Sequence, residues 1–183
     1  SEAQILKMSS PFFIDPYSLG GLNLSTKEVG MIYGTFGSIA LTIGGLAGGI
    51  IISRYCLKKV LWLMVTVVNV PSVFYLILSV YQPHSLLFIS IAVAIEQFGY
   101  GFGFSAYMLY LIYFSKGKYE TAHFAIATGL MALGMMLPGM ISGYIQSILG
   151  YNGFFVWSII MAVPGVAAVF FIMRKINFSE FEN

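Results

Sequence analysis

IAVAIEQFGYGFGFSAYMLYLIYF, residues 91–114, decides what kind of protein this is. The run is apolar and long enough to cross a bilayer. Within it stand Glu96 and Gln97, where a lipid-facing helix would carry Leu or Val. A carboxylate deep in hydrocarbon is costly unless paired, protonated or wetted, so such residues face a bundle interior or a water-filled path. On a helix, Gly99, Tyr100, Gly103 and Tyr107 share the face of Glu96. A carboxylate, two phenols and two gaps on one face read as a cavity wall. The alternative is structural: the glycines let helices pack closely and Glu96 pairs with another buried group.

The rest of the chain supports a membrane protein. Hydrophobic residues make up 58% and charged residues 9% of its 183 positions, with a mean hydropathy of +0.87. A soluble domain carries about 25% charged residues. The net charge of +2 and the lack of a basic patch with interleaved aromatics give no sign of nucleic acid as a partner. The single Cys56 allows no internal disulfide, and with His84 and His123 so far from it no metal cluster is suggested. No cofactor is implied.

Outward from residues 91–114, the pattern predicts an all-α membrane protein, a six-segment helical bundle whose first helix is truncated. Ser1 to Phe13 is helical in character but too short to span before the breakers Asp15-Pro16 and Gly20-Gly21, as if its beginning were missing. Ser25 and Glu28 form a capping-box pattern opening a second, charge-free run to about Ser53. There the Gly30/Gly34 and Gly45/Gly49 stripes predict close helix contact. Further spans are expected over 60–80, with Asn69 and Pro71 at mid-span, 86–114, 120–146 and 153–173.

The basic residues Arg54, Lys58, Lys59, Lys116, Lys118, Arg174 and Lys175 gather on alternate connections and the tail, whereas the opposite loops hold only Lys27. The former side is expected to be cytoplasmic. Lys7 and Glu96 each lie roughly 14–15 Å from the outer boundary at 1.5 Å per residue, so an ion pair between them is expected. The other reading of Lys7 is a snorkelling side chain near a helix end. Gln4 would share the facing stripe. Gln97, Gln4 and Asn69 join Tyr100 and Tyr107 as candidate solute-binding residues, while Glu96 and Lys7 are the candidates for proton coupling.

Two triplets of segments in opposite senses suit the inverted-repeat plan of secondary transporters. The stretch from Gly49 through Arg54 to Lys58 resembles the loop signature of the major facilitator superfamily, with Ser53 where aspartate and Cys56 where glycine is expected. EQFGYGFGFSAY (96–107), TAHFAIATGLMALGMMLPGMISGYIQ (121–146) and AVPG (162–165) resemble the second half of the anhydromuropeptide permease branch of that superfamily. That resemblance implies one domain over residues 1–183, the carboxyl-terminal half of a transporter with a 3+3 repeat, and a missing amino-terminal half as partner. It also implies proton-driven import of a cell-wall sugar–peptide across the inner membrane of a Gram-negative bacterium. A transporter of another small solute, a channel or a structural subunit are the competing readings.

An enzyme is not expected. Ser105 lies roughly 13 Å from the cytoplasmic end and His123 only about one turn inside it, so they cannot act as nucleophile and base. No phosphate-binding loop with the GxxxxGK[ST] spacing occurs either.

Overall fold

A computed structural model describes residues 2–55 and 57–175, and every regular element in them is helical. Helix α1 is Glu2–Ile14; α2 runs over Thr26–Arg54, with a π-helical turn at Ile32–Gly37; α3 is Leu57–Tyr81 and α4 Leu86–Ser115. The remaining run, Glu120–Lys175, is two helices joined at Gly150, whose φ of 67° and ψ of 177° are not helical. They are called α5 (120–149) and α6 (151–175).

The capping box predicted at the start of α2 is formed. The Glu28 amide donates to Ser25 Oγ at 3.3 Å, and the Ser25 amide donates to Glu28 Oε2 at 2.8 Å. Pro11, Pro71, Pro138 and Pro164 all lie inside helices, as a membrane bundle tolerates.

Among the described residues four runs are long and apolar enough to cross a membrane: Thr26–Arg54, Trp62–Tyr81, Leu86–Ser115 and Glu120–Phe171. This differs from the six expected. Helix α1 has 13 residues, and the loop expected over 147–152 shrinks to Gly150, so the last two segments read as one. Contacts nevertheless show the chain reversing there. Gly139 lies against Lys7, and Tyr151 bonds to Asp15, so α5 runs with α1. The Phe155 ring then meets Tyr75 at 5.4 Å and Phe170 meets Trp62 at 6.3 Å, so α6 runs back along α3.

The seam between α2 and α4 positions Glu96. A Cβ on Gly44 would collide with the Phe98 carbonyl, one on Gly48 would sit 2.7 Å from the Phe102 carbonyl oxygen, and one on Gly101 would strike the Leu41 carbonyl. Helices α2 and α4 therefore touch backbone to backbone. Gly44 and Gly48 make the closest approaches, and of the predicted Gly45/Gly49 stripe Gly45 also meets α4, where a Cβ would lie 3.4 Å from Ser105 Oγ. No atom outside the local helix comes within 4 Å of a Cβ placed at Gly30, Gly34 or Gly49, so those positions make no such contact. On the far side of α2, Ile39, Ile43, Leu46 and Ile50 are each more than half exposed at helical spacing, a face suited to lipid.

At the end of the bundle where α1 and α3 terminate, Phe12, Phe13, Tyr75, Tyr151, Phe154 and Phe155 form a buried aromatic cluster. The Phe12 and Phe155 rings meet edge-on at 5.0 Å. Polar ties close that end. Tyr151 Oη donates to Asp15 Oδ2 at 2.6 Å, Tyr17 Oη pairs with His84 Nδ1 at 2.9 Å, and Gln82 Nε2 donates to the Gly21 carbonyl at 3.1 Å.

Candidate functional site

Glu96 is 1% exposed, on the inward side of α4. Its Oε2 accepts from Tyr75 Oη of α3 at 3.0 Å and from Gln97 Nε2 at 3.3 Å. Its Oε1 is buried and has no hydrogen-bond partner among the described residues. The Tyr75 hydroxyl is also 3.0 Å from that of Tyr33 on α2. A phenol has one proton, and Tyr75 gives its own to Glu96, so Tyr33 is the donor to Tyr75. Three helices thus converge on one carboxylate through a continuous chain of hydroxyls.

Gln97 serves this arrangement. It is buried against the α2 interface, where its Cγ would lie 3.3 Å from a Cβ on Gly37, and its amide supports Glu96.

The expected pairing of Lys7 with Glu96 is not present. Among the described residues no ion pair joins them; Lys7 is exposed, and its Cγ lies 3.2 Å from where a Gly139 Cβ would be. The reason is azimuth. The buried face of α1 carries Gln4, Ile5, Met8, Ser9 and Phe12, and Lys7 falls beside that arc, against α5. Sharing a depth did not bring the two charges to one side.

A cavity of about 380 Å³ opens between α1, α3, α4, α5 and α6. Tyr100 and Tyr107 line it from α4, as their shared face predicts, and Asn69 lines it from α3. The Asn69 Nδ2 donates to the Val65 carbonyl at 2.7 Å. Met64, Met131, Met135 and Met161 supply an adaptable apolar wall. Gln4 and Gln97, the other candidate solute contacts, do not line it; both are buried within helix interfaces. Glu96 likewise lies outside the lining, so the carboxylate and the cavity are separate features of the same helix. Of the two predicted gaps, Gly103 lines the cavity but also packs on Val68, and Gly99 backs onto α3, where a Cβ would sit 2.6 Å from the Val67 carbonyl oxygen.

Three further residues belong to this region. Tyr75 and Tyr33 are polar tips within otherwise apolar spans, the one signal that could have singled them out. Glu2 lines the cavity and lies within electrostatic reach of Glu96. Of the loop motif, Gly49 and Arg54 lie in the last turns of α2 and Lys58 in the first turn of α3, while Cys56 falls outside the described residues. His123 is exposed near the start of α5. No group of three or more His, Cys, Asp or Glu able to hold a metal occurs among the described residues.

No family model matches the chain. It is similar to the "Putative transporter AmpG 4" of Rickettsia felis, with 27% identity over 177 residues, which is 96% of this chain and 41% of that protein. It is also similar to the "Anhydromuropeptide permease" of Escherichia coli, with 26% identity over 164 residues, 90% of this chain and 33% of that protein. The chain thus spans about two fifths or less of the length of these curated relatives. The resemblance to the anhydromuropeptide permease branch, first carried by the motifs of α4, α5 and α6, is borne out along nine-tenths of the sequence. Both relatives are named as a transporter or permease rather than an enzyme. With its apolar helices the chain is a multi-pass integral membrane protein, and its bacterial relatives fit the inner membrane.

Proposed function

We propose that residues 1–183 are the carboxyl-terminal half of a major facilitator transporter, six segments in two inverted triplets, that imports a small solute using the proton gradient. The solute class favoured by the likeness is an anhydromuropeptide or related cell-wall sugar–peptide. In the whole protein this half rocks against an amino-terminal half, exposing the solute to each side of the inner membrane in turn.

The observation that carries this reading is Glu96. A carboxylate kept in the bundle interior, held by a phenol and an amide with one oxygen unpartnered, is costly as a purely structural device. It makes sense as a group that takes up and releases a proton as the bundle changes state. Tyr100, Tyr107 and Asn69 are the proposed solute contacts. Aromatic faces stack on the apolar faces of sugars while hydroxyl and amide groups bond their polar edges. Lys7 has no place beside Glu96 in this conformation. As a coupling residue it would have to approach the carboxylate in the other state of the cycle.

The test is Glu96→Gln in the intact protein reconstituted in vesicles. Gradient-driven accumulation of labelled anhydromuropeptide should vanish while exchange at equal concentrations persists; full accumulation would reject the role of Glu96. A transporter of another sugar remains the second reading, because the cavity wall is mostly methionine, valine and tyrosine and carries few polar groups to define one solute. Accumulation of simple sugars but not of anhydromuropeptides would decide for it.

A further inference from the structure

The Tyr33–Tyr75–Glu96 chain does more than satisfy a buried acid. It leads somewhere. Tyr33 lies seven residues into α2 and Tyr75 six residues before the end of α3, so their backbones stand about 9–11 Å from the end of the bundle at which α1 and α3 terminate. Glu96, ten residues into α4, is about 15 Å deep. Tyr33 is only half-buried, whereas Tyr75 and Glu96 are each 1% exposed. The two hydroxyls therefore link the less buried residue, Tyr33, to the buried carboxylate.

Two independent features mark Tyr33. It sits in the π-helical turn Ile32–Gly37, a local irregularity that concentrates at functional sites because the extra residue re-aims side chains. Its ring packs on Phe13 at 5.9 Å, and the Tyr75 ring packs on Phe13 at 5.8 Å and Phe155 at 5.4 Å. Both phenols are thus clamped with their oxygens 3.0 Å apart, the separation of a direct O–H···O link. The titratable groups within electrostatic reach of Glu96 are Glu2 of α1, Tyr33 of α2, Tyr75 of α3 and Tyr100 of α4. Only Tyr33 and Tyr75 are joined to it by hydrogen bonds in series.

We propose that Tyr33 and Tyr75 are a proton relay that loads Glu96 from the end of the bundle bearing Asp15 and His84. This deepens the functional reading above and rests on it. A hydronium ion at that end protonates the Tyr33 oxygen and is left as water. Tyr33 passes its original proton to the Tyr75 oxygen, and Tyr75 passes its own to Glu96 Oε2. Each phenol gains one O–H bond and loses one, so both end neutral. One proton has been consumed and one carboxylic acid formed. Rotation of the hydroxyls after Glu96 discharges elsewhere restores the starting array.

The experiment follows the carbonyl stretch of protonated Glu96 by time-resolved infrared spectroscopy on the intact protein in lipid nanodiscs, after a photoreleased proton jump. The band is assigned by its absence in Glu96→Gln. Its rise should slow by about a hundredfold in Tyr33→Phe and in Tyr75→Phe, the lower end of what a positioned proton-transfer group supplies. A rise at the unaltered rate in both variants overturns the relay and leaves the proposed transport intact. An unaltered relay beside full gradient-driven uptake in Glu96→Gln would instead sink the coupling role. If Tyr75→Phe does not insert, 3-fluorotyrosine at positions 33 and 75 keeps the shape while making the phenols more acidic. A band rise indifferent to that change overturns the proposal equally.

Discussion

Tyr75 Oη stands 3.0 Å from Glu96 Oε2, joining the last third of α3 to α4 through the one deeply buried carboxylate of the described bundle. Removing the hydroxyl leaves that carboxylate with Gln97 alone, in a medium where water cannot replace the lost donor. Tyr75→Phe should therefore lower stability by about 1–3 kcal/mol. A double-mutant cycle with Glu96→Gln, read by thermal unfolding in detergent, should return a coupling of roughly 0.5–3 kcal/mol. Additive effects would mean the two side chains do not interact.

The α2–α4 seam makes a prediction of opposite signs on one helix. Gly44→Val drives a side chain into the Phe98 carbonyl and should cost at least about 1–3 kcal/mol by overpacking. Gly30→Ala meets no atom within 4 Å and should stabilise the helix by about 0.5–1 kcal/mol. Melting temperatures that fall equally for both would contradict the Gly44/Gly48 register.

Gly150 turns the chain between α5 and α6 with φ 67° and ψ 177°. That backbone region is essentially reserved for glycine, so Gly150→Ala should cost about 1–3 kcal/mol. The same substitution at Gly143, a helical position with open space, should be neutral or mildly stabilising. Thermal unfolding of the two variants side by side checks the turn.

Lys7 supplies a negative control for the pairing that depth alone suggested. Exposed and apart from Glu96, it should tolerate Lys7→Met with a stability change of about 0–1 kcal/mol, the range of an exposed ionic contact. A larger loss, or loss of gradient-driven uptake, would show that Lys7 meets Glu96 in another state of the cycle.

The cavity is tested by filling it. Met135→Trp, on the α5 side of the lining that Tyr100 and Tyr107 share, should block solute binding while the protein still folds and inserts. Tyr107→Leu should weaken binding by about 0.5–1.5 kcal/mol if the ring stacks on solute. Equilibrium binding of labelled anhydromuropeptide separates a lost contact from a lost fold.

Much of this protein was legible before any coordinates. Hydropathy and charge, which act along a single helix, determined that the chain is an integral membrane protein, where α2, α3 and α4 run, and that Ser25 and Glu28 cap α2. They also determined that Glu96 could not face lipid. Shared azimuth on one helix correctly grouped Tyr100 with Tyr107. What only the tertiary structure decided were relations between helices: Tyr75 rather than Lys7 beside Glu96, Gly44 and Gly48 joining Gly45 at the seam while Gly49 stays out of it, and a reversal compressed into Gly150. The periodicity of one helix states which residues share its face but not how that face is rotated toward a neighbour. Two groups at equal depth can then stand on opposite sides of their helices, and packing alone selects which pair meets.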